Sequence, residues 1–259
     1  MLHWIDDSSP LPPASTALGP DSDAPGLVAA GGRVSPARLL QAYSQGIFPW
    51  YSAGQPVLWW SPDPRMVLPV AEFRASQSLK KTLRRFLRTP GCTLRFDSQF
   101  EAVMHACATT PREGQDGTWI VPAMVDAYTA WHHLGQVHSV ETWVDGQLVG
   151  GLYFVAIGRM CFGESMFAHR TDASKIALAA LVVACRARGV ALIDCQQNTR
   201  HLASLGAREV PREAFVAHVA QAVLLQPAAD WSYDESAWGL LDRPEAADNP
   251  IPALPTTPR

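Results

Sequence analysis

The residues that could do chemistry lie in two short segments among apolar sequence. Residues 192–206 read LIDCQQNTRHLASLG, an apolar strand interrupted by Asp194 and Gln196. Residues 163–175 read GESMFAHRTDASK, which predicts a loop leading into a helix and places Glu164 near its start. Burying such polar groups costs several kcal/mol unless hydrogen-bond partners or ligands satisfy them. Two carboxyl groups and an amide in these positions therefore indicate either a binding site or an internal polar network.

The LIDCQ strand gives its polar groups a predicted direction. Side chains in a strand alternate, so Leu192, Asp194 and Gln196 should share one face, with Ile193 and Cys195 on the other. A hydrogen bond between the aspartate and the glutamine would explain this face as well as a ligand would. The strand alone leaves both interpretations open.

Composition and charge limit the class of protein. The 259 residues are 47% hydrophobic and 17% charged, which is typical of a globular chain with a sizeable core. The N-terminal region carries Asp6 and Asp7 without a long apolar run, so we expect neither a signal peptide nor a membrane span. Five cysteines without a CxxC pair disfavour disulfides and a zinc site, which predicts a protein of the reducing cytoplasm without a metal.

One segment is strongly basic, although the formal net charge of the chain is −3. Residues 76–88, SQSLKKTLRRFLR, read as a helix that Ser76 or Ser78 caps. Its cations fall within about 140° of the helical wheel, opposite leucines and a phenylalanine. They are Lys80, Lys81, Arg84, Arg85 and Arg88. A surface helix is the ordinary explanation, but five cations without an interspersed acid favour a polyanionic partner.

Residues 43–60 concentrate aromatic side chains, with six of them in 18 positions. Closely spaced prolines exclude a long helix there, so we expect short strands and turns. A small aromatic core of an N-terminal lobe would use most of these rings, and exposed ones would suit stacking on nucleic-acid bases.

The remaining pattern alternates helices with strands. Helices are predicted at 36–44, 98–108, 122–134, 173–188 and 211–225, and strands near 92–96, 137–144, 147–157, 159–163 and 190–196. This order predicts an α+β fold, with a small N-terminal domain and a GNAT-like acyltransferase domain around a central mixed sheet. The two domains should span 1–65 and 66–228, and the proline-rich tail, 229–259, should be disordered.

The sequence predicts this fold without coenzyme A. Acyltransferases of the GNAT type bind that cofactor through a Q/R-x-x-G-x-G/A loop between a strand and the following helix. Arg186, Gly189 and Ala191 match this string, but they end a predicted helix and open a strand. The segment in the required position, GESMFAHRTDA, has a single glycine, Gly163, and cannot cradle a pyrophosphate.

Nine motifs carry a resemblance to a known family. In order they read GLVAAGGRVSPARLLQAYSQGIFPWY, LWWSPDPR, GTWI, HSVETW, LVGGLYFVAIG, CFGESMF, ASKIAL, LIDCQ and HLASLGA. Over roughly 26–225 they resemble the leucyl/phenylalanyl-tRNA–protein transferases. Two departures lie in one loop: Asp172 stands where the family usually has Asn, and Phe167-Ala168-His169 where it usually has FSR.

The resemblance implies an activity and its partners. The family is two-lobed and transfers Leu, Phe or sometimes Met from aminoacyl-tRNA to proteins that begin with Arg or Lys. The added residue marks the product for degradation through the N-degron pathway. The donor ester is already activated, so the reaction requires neither ATP nor a metal nor another cofactor.

The resemblance also assigns Asp194 and Gln196 as the catalytic pair. Glutamine is too weak a base to take a proton, but it can accept a hydrogen bond from the attacking amine. The aspartate could polarise that contact and stabilise the developing ammonium. A proton shuttle through the adenosine hydroxyl of the substrate is the other possibility, and the sequence does not choose between them.

Each part of the substrates requires its own surface. The cation of the acceptor protein needs a carboxylate, for which Glu164 is the first candidate and Asp194 the second. The polyanionic tRNA suits the cations of the basic helix. Its 3′ adenosine needs flat rings, for which the resemblance implies Tyr43, Trp50, Trp119 and Tyr128. The transferred side chain needs an apolar slot, for which the candidates are Leu152, Met166, Leu178 and Ile193. Ordinary core packing would explain these four apolar residues as well.

Two other functions are compatible with parts of the sequence. A Cys–His hydrolase would use Cys195 with His201 or His138, but the predicted strand places that thiol opposite Asp194 and Gln196. A tRNA-binding module without catalysis would use the basic helix and the aromatic rings. Such a module would not explain the polar residues Asp194, Gln196 and Glu164.

Overall fold

The computed structural model describes residues 2–111, 118–227 and 230–241, which form two sheets with flanking helices. The small sheet contains His3–Ile5 (β1), Leu27–Gly31 (β2), Phe48–Pro49 (β3) and Leu58–Trp60 (β4), in the order β1-β2-β4-β3. The large sheet contains Arg65–Pro69 (β5), Cys92–Phe96 (β6), Val137–Val144 (β7), Gln147–Ile157 (β8), Met160–Ala168 (β9), Leu192–Gln196 (β10) and Arg208–Val210 (β11). Its strand order is β11-β5-β10-β9-β8-β7-β6.

Helices connect and cover these strands. The α-helices are Pro36–Tyr43 (α1), Gln77–Arg88 (α2), Phe100–Thr109 (α3), Pro122–His133 (α4), Ala173–Ala187 (α5), Arg200–Ser204 (α6) and Arg212–Ala222 (α7). Short 3-10 helices cover Ala14–Thr16, Val70–Glu72 and Glu235–Leu241. Within the described ranges, no helix is both long and apolar enough to cross a membrane.

The large sheet is mixed, which confirms the predicted α+β class. β10 runs parallel to β9 and is reached through α5, whereas the other neighbouring strands are antiparallel. One face of this sheet packs against the small sheet and against α1, α3, α4 and α7. The opposite face packs against α2 and α5. Leu192 and Ile193 enter these two cores in turn, as the alternation of a strand requires.

The first two α-helices begin where the sequence supplies caps. The Ser35 hydroxyl accepts a hydrogen bond from the Arg38 amide, and Pro36 occupies the first position of α1, where its fixed φ suits a helix. The Ser76 hydroxyl accepts from the Leu79 amide and begins α2. This second cap fixes where the basic helix begins, and the packing of its apolar residues sets the side on which its cations lie.

The strand β9 is longer than predicted, and this changes the setting of Glu164. The sequence predicted a strand at 159–163 and a loop after it. In the structure β9 continues to Ala168, because β8 supplies an antiparallel hydrogen-bonding partner along this length. Glu164 and Met166 therefore lie on a strand that the sheet holds, and the loop prediction was wrong for them.

The N-terminus of α5 approaches β8 closely because one strand position lacks a side chain. A Cβ atom on Gly150 would lie 2.4 Å from the Ala173 Cβ, a distance that real contacts do not show. Glycine permits this approach. The contact fixes the position of the first turn of α5 and therefore that of Leu178 one turn later.

Part of the tail that was predicted to be disordered docks onto the large domain. The Trp231 ring centre lies 4.8 Å from that of Phe154, and the Arg188 guanidinium lies 5.1 Å from the same tryptophan ring. The Trp238 indole donates to the Tyr233 hydroxyl at 3.0 Å. The prediction was wrong for 230–241, because aromatic rings can dock individually without a helical or strand period. The rest of the predicted tail, 229 and 242–259, lies outside the described residues.

Candidate active site

A cavity of about 430 Å³ opens between the two sheets and the helices α5 and α6. Its volume is in the range of small-molecule and cofactor sites. Most of the predicted site residues line it: Trp50, Trp119, Leu152, Glu164, Met166, Leu178, Ile193, Asp194 and Gln196. The structure therefore brings together the predicted catalytic pair, the acceptor carboxylate, the apolar slot and two of the four aromatic rings.

The cavity exists because the parallel strands β9 and β10 separate. Their pairing consists of Ile193 with Cys161 and Asp194 with Phe162. After these pairs β9 continues through Glu164 while β10 ends, so the strand ends open a gap at this point of the sheet. Side chains of both strands line the gap.

The alternation of β10 breaks between Asp194 and Gln196. The register with β5 shifts there, so that one extra residue, Cys195, lies in β10. Gln196 has φ of +55°, an uncommon conformation for a residue with a side chain. A β-bulge re-aims the side chain that follows it, so strict alternation does not account for the direction of Gln196, although Asp194 and Gln196 both line the cavity. Cys195 packs against the α5-side core that also holds Ile193, as the alternation predicted, and it lines the cavity from that side.

Asp194 forms a fully buried ion pair with Arg65, a residue that the sequence analysis missed. The Arg65 Nε and Nη2 atoms lie 2.8 and 2.6 Å from the two carboxylate oxygens of Asp194. The Asp194 Oδ1 atom also accepts a hydrogen bond from the backbone nitrogen of Gln196 at 3.0 Å. These contacts occupy both carboxylate oxygens and link the end of β10 to β5. The arginine of the LWWSPDPR motif was the available signal.

The side chains of Gln196 and Glu164 bind each other across the gap. Gln196 Nε2 donates to Glu164 Oε1 at 3.0 Å. The Tyr128 hydroxyl lies 3.5 Å from the other carboxyl oxygen of Glu164. Because the side-chain nitrogen Nε2 faces Glu164, the side-chain oxygen Oε1 is the atom that Gln196 can offer to a substrate.

Glu164 binds protons unusually tightly for a carboxyl group. Burial, together with the negative charge of Asp194, raises its pKa to about 8. Hydrogen bonds from Tyr43 and Gln196 and the charge of Arg65 act in the opposite direction. A nearby cation would favour the ionised form, so this site suits a positively charged group.

Two of the four predicted adenosine-binding rings are in the wrong place for stacking. Tyr43 and Tyr128 are both 0% exposed, and their hydroxyl oxygens lie 2.5 Å apart. As packed, these rings cannot stack on a base. Instead they support Glu164 from the core, because the Tyr128 hydroxyl contacts its carboxyl group and the Tyr43 hydroxyl contacts that of Tyr128. Trp50, which is 37% exposed, and Trp119 line the cavity and retain the predicted opportunity.

The four predicted slot residues form an apolar wall. Leu152, Leu178 and Ile193 are buried, whereas Met166 is partly exposed toward the cavity that all four line. Leu152 and Met166 are register partners in β8 and β9, which explains their proximity. The wall belongs to the core on the α5 side of the sheet, so it is both core and cavity surface.

His201 also lines the cavity, together with Cys195. Burial and the charge of Lys175 lower the pKa of His201, which keeps its ring neutral at neutral pH. Burial raises the pKa of the Cys195 thiol far above its ordinary value, which makes it a poor nucleophile. His138 is bound elsewhere, with its Nδ1 atom 2.7 Å from Asp97. The geometry therefore gives the Cys–His hydrolase little support.

The basic helix has the two sides that its sequence predicts. α2 buries Leu79, Leu83 and Phe86 against the large sheet. The cations on its other side are Lys80, which is partly buried, and Lys81, Arg84, Arg85 and Arg88, which are exposed. In the part of the chain that the structure describes, no group of His, Cys, Asp and Glu side chains could hold a metal ion.

Comparisons with known proteins agree with the motifs. The family model described as leucyl/phenylalanyl-tRNA protein transferase matches residues 67–220, and the model of the N-terminal domain of that family matches residues 32–63. A transferase of this name from Methylibium petroleiphilum is 66% identical over 92% of this chain and 90% of its own length. One from Leptothrix cholodnii is 64% identical over 93% of this chain and 95% of its own length.

The solved structures give a more distant likeness. A GCN5-related N-acetyltransferase from Kribbella flavida is 14% identical to this chain. The match covers 67% of this chain and 60% of that one, with a TM-score of 0.34.

Proposed function

We propose that this protein adds Leu, Phe or Met to the N-terminal α-amine of proteins beginning with Arg or Lys. The premise is that the chain belongs to the leucyl/phenylalanyl-tRNA protein transferase family. Aminoacyl-tRNA is the donor, the reaction takes place in the cytoplasm, and the product enters the N-degron pathway. The observation that carries this proposal is one cavity that joins an apolar wall, two tryptophans and the paired side chains of Gln196 and Glu164.

The apolar wall receives the side chain of the transferred amino acid. Leu, Phe and Met lack hydrogen-bonding groups, so a slot of Leu152, Leu178 and Ile193 leaves no polar group unsatisfied. Met166 is unbranched and can adjust to a branched chain or to a flat ring. A polar or charged amino acid would be desolvated there without compensation.

Two surfaces of the protein bind the tRNA, namely the tryptophans of the cavity and the cations of α2. Trp50 and Trp119 stack on its terminal adenosine, which contributes about 1–3 kcal/mol per base. The cations of α2 attract the phosphates and act without base specificity. The buried tyrosines Tyr43 and Tyr128 contribute by fixing Glu164 rather than by stacking.

The catalytic step is attack of the acceptor amine on the ester carbonyl. The Gln196 carbonyl oxygen accepts a hydrogen bond from the amine and directs its lone pair to the carbonyl carbon. Glu164 draws the positively charged side chain of the acceptor toward the same place. The amine loses one proton and the leaving adenosine oxygen gains one. The ion pair of Asp194 favours a proton route through the adenosine hydroxyl of the substrate over direct transfer to that carboxylate.

A transfer assay tests this function directly. The purified protein is incubated with leucyl-tRNA and a peptide that begins with Arg, and mass spectrometry should detect the peptide extended by one leucine. The same peptide with an acetylated N-terminus should stay unchanged, and no coenzyme A, ATP or metal should be needed. Binding of tRNA without extension would favour the non-catalytic module, and release of free leucine without extension would favour a hydrolase.

A further inference from the structure

Arg65 is a fully buried guanidinium at the start of β5, next to the strand β10 that carries the catalytic pair. Burying such a charge is costly unless an opposite charge and hydrogen bonds compensate it. Nε and Nη2 of Arg65 donate to Asp194. Nη1 donates to the carbonyl of Gly46, 3.2 Å away in the segment before β3. One side chain thus links the large sheet to the segment that leads into β3.

Aromatic rings hold the same guanidinium from the sides. Its central carbon lies 4.7 Å from the ring centre of Phe48 and 4.5 Å from that of Phe215. Phe48 belongs to β3 and lines the cavity, whereas Phe215 belongs to α7. Arg65 therefore cannot change its direction without disturbing the cavity wall that also carries Trp50.

The hydrogen bonds continue from Arg65 to Gln196. Oδ1 of Asp194 accepts two hydrogen bonds, one from Nε of Arg65 and one from the backbone nitrogen of Gln196. The second bond lies in the β-bulge, where Gln196 has its positive φ. A residue held in this region persists when its surroundings fix it. The chain of contacts from arginine to carboxylate to backbone supplies that restraint.

Stability alone does not require this arrangement. A buried ion pair can be replaced by packed apolar side chains with little loss of stability, so its presence at this position is better explained by geometry. The planar fork of an arginine fixes both oxygens of a carboxylate, which a lysine cannot do.

We propose that Arg65 is a positioning residue whose fork orients Asp194, which in turn holds the β-bulge that aims the Gln196 amide at the attacking amine. This inference rests on the proposed function. Arg65 touches neither substrate. Its effect should therefore appear in turnover and should depend on the presence of the Gln196 side chain.

The test compares Arg65→Lys with Arg212→Lys in the transfer assay. Arg212 is a matched control, because its Nη1 atom donates to the Ser61 carbonyl at 2.9 Å and joins α7 to the end of the small sheet without contacting Asp194. In Arg65→Lys we expect kcat to fall by about 100-fold, because small misplacements have such effects. The KM values for leucyl-tRNA and peptide should stay within about twofold, because the apolar wall and the helix cations remain. The control should keep the kcat of the unmodified enzyme.

A double-mutant cycle separates positioning from general damage. Gln196→Ala should lower kcat in the unmodified enzyme but have little further effect in Arg65→Lys, since the amide is already misplaced there. A folded Arg65→Lys with normal kcat, or a full effect of Gln196→Ala in both backgrounds, would overturn the inference. An unmodified enzyme that transfers nothing would instead overturn the proposed function.

If Arg65→Lys does not fold, the pair Arg65→Gln with Asp194→Asn takes its place. This pair removes both buried charges while keeping polar side chains, so it avoids an unpaired charge. Without the fork we expect kcat about tenfold or more below that of the unmodified enzyme, again with a diminished effect of Gln196→Ala. Normal kcat in this pair would overturn the inference.

Discussion

The floor of the cavity and the outer side of α2 both carry charges, but in opposite settings. The floor consists of the polar residues at the base of the cavity, Glu164, Gln196 and Asp194, together with Arg65, which pairs with Asp194. In the floor, Arg65 and Asp194 are fully buried and meet at 2.6 Å. On α2, Arg84 and Arg88 face solvent. Removing one member of a buried pair leaves the other uncompensated, whereas an exposed charge is screened by water and salt. Charges in the floor therefore fix the position of side chains, and charges on the helix attract a polyanion from a distance.

The largest effect should follow from breaking the buried pair. Asp194→Ala should lower the free energy of unfolding by about 3–5 kcal/mol, because Arg65 then stays buried without its counter-charge. Urea denaturation followed by circular dichroism measures this loss. Glu72→Ala is the control, since its pair with Arg208 is partly exposed and should contribute less than about 1 kcal/mol. Equal losses in the two variants would remove the distinction between buried and exposed charges.

Glu164→Gln tests the polar floor on the substrate side. At pH 9, where the Glu164 carboxyl group is ionised, the change should raise the KM for peptides beginning with Arg by about tenfold or more, because a charge-assisted contact is lost, while the KM for leucyl-tRNA stays constant. Glu209→Gln is a control, because Glu209 binds Asn198 at 3.0 Å and is not among the cavity residues. A larger effect on tRNA than on peptide would contradict the assignment of Glu164.

The same variant should change the pH dependence. The pKa of Glu164 is about 8 in the free protein, so the carboxyl group is mainly protonated below that pH and ionised above it. The peptide's arginine stays charged throughout this range. The KM for that peptide should therefore fall as the pH rises from 7 to 9 in the unmodified enzyme. The α-amine of the peptide titrates in the same range and affects both enzymes alike, so the ratio of the KM of Glu164→Gln to that of the unmodified enzyme should increase from pH 7 to pH 9.

Reversing charges on α2 tests the other half of the comparison. Arg84→Glu with Arg88→Glu should weaken tRNA binding by about tenfold at low salt and reduce the salt slope by about one unit per lost contact. Turnover with a short aminoacyl-adenosine donor should be unaffected, because that donor does not reach the helix. Arg33→Glu reverses an exposed cation of the small domain and should leave both measurements unchanged. Equal losses with both donors would assign the helix to the fold or the active site.

The smallest effect should come from the apolar wall. Met166→Ala should change the ratio of kcat/KM for Leu and Phe donors by about 1 kcal/mol, since small volume changes in a hydrophobic pocket have effects of this size. Met160→Ala removes a methionine from the same strand that is buried in the opposite core, so it should lower stability without changing the ratio. An unchanged ratio in Met166→Ala would make that residue part of the core alone.

The corrections to the aromatic and polar residues have a common cause. Tyr43, Trp50, Trp119 and Tyr128 have similar residue types, yet two lie buried beneath Glu164 and two line the cavity. Residue type sets what a ring can do, but packing of α1 and α4 against the sheet decides which rings a base can reach. The sequence also lacked a signal for the end of β9, since the extra strand length depends on pairing with β8.

By itself the sequence determined the α+β class, most helices and strands, the two-sided basic helix and the family, because these depend on local periodicity, caps and contiguous motifs. It also named most residues that line the cavity. Tertiary structure alone decided that Arg65 meets Asp194 across 129 positions of sequence and that a β-bulge re-aims Gln196. Such contacts depend on strand order and register, which local residue patterns do not encode, and they convert a polar strand into an oriented site.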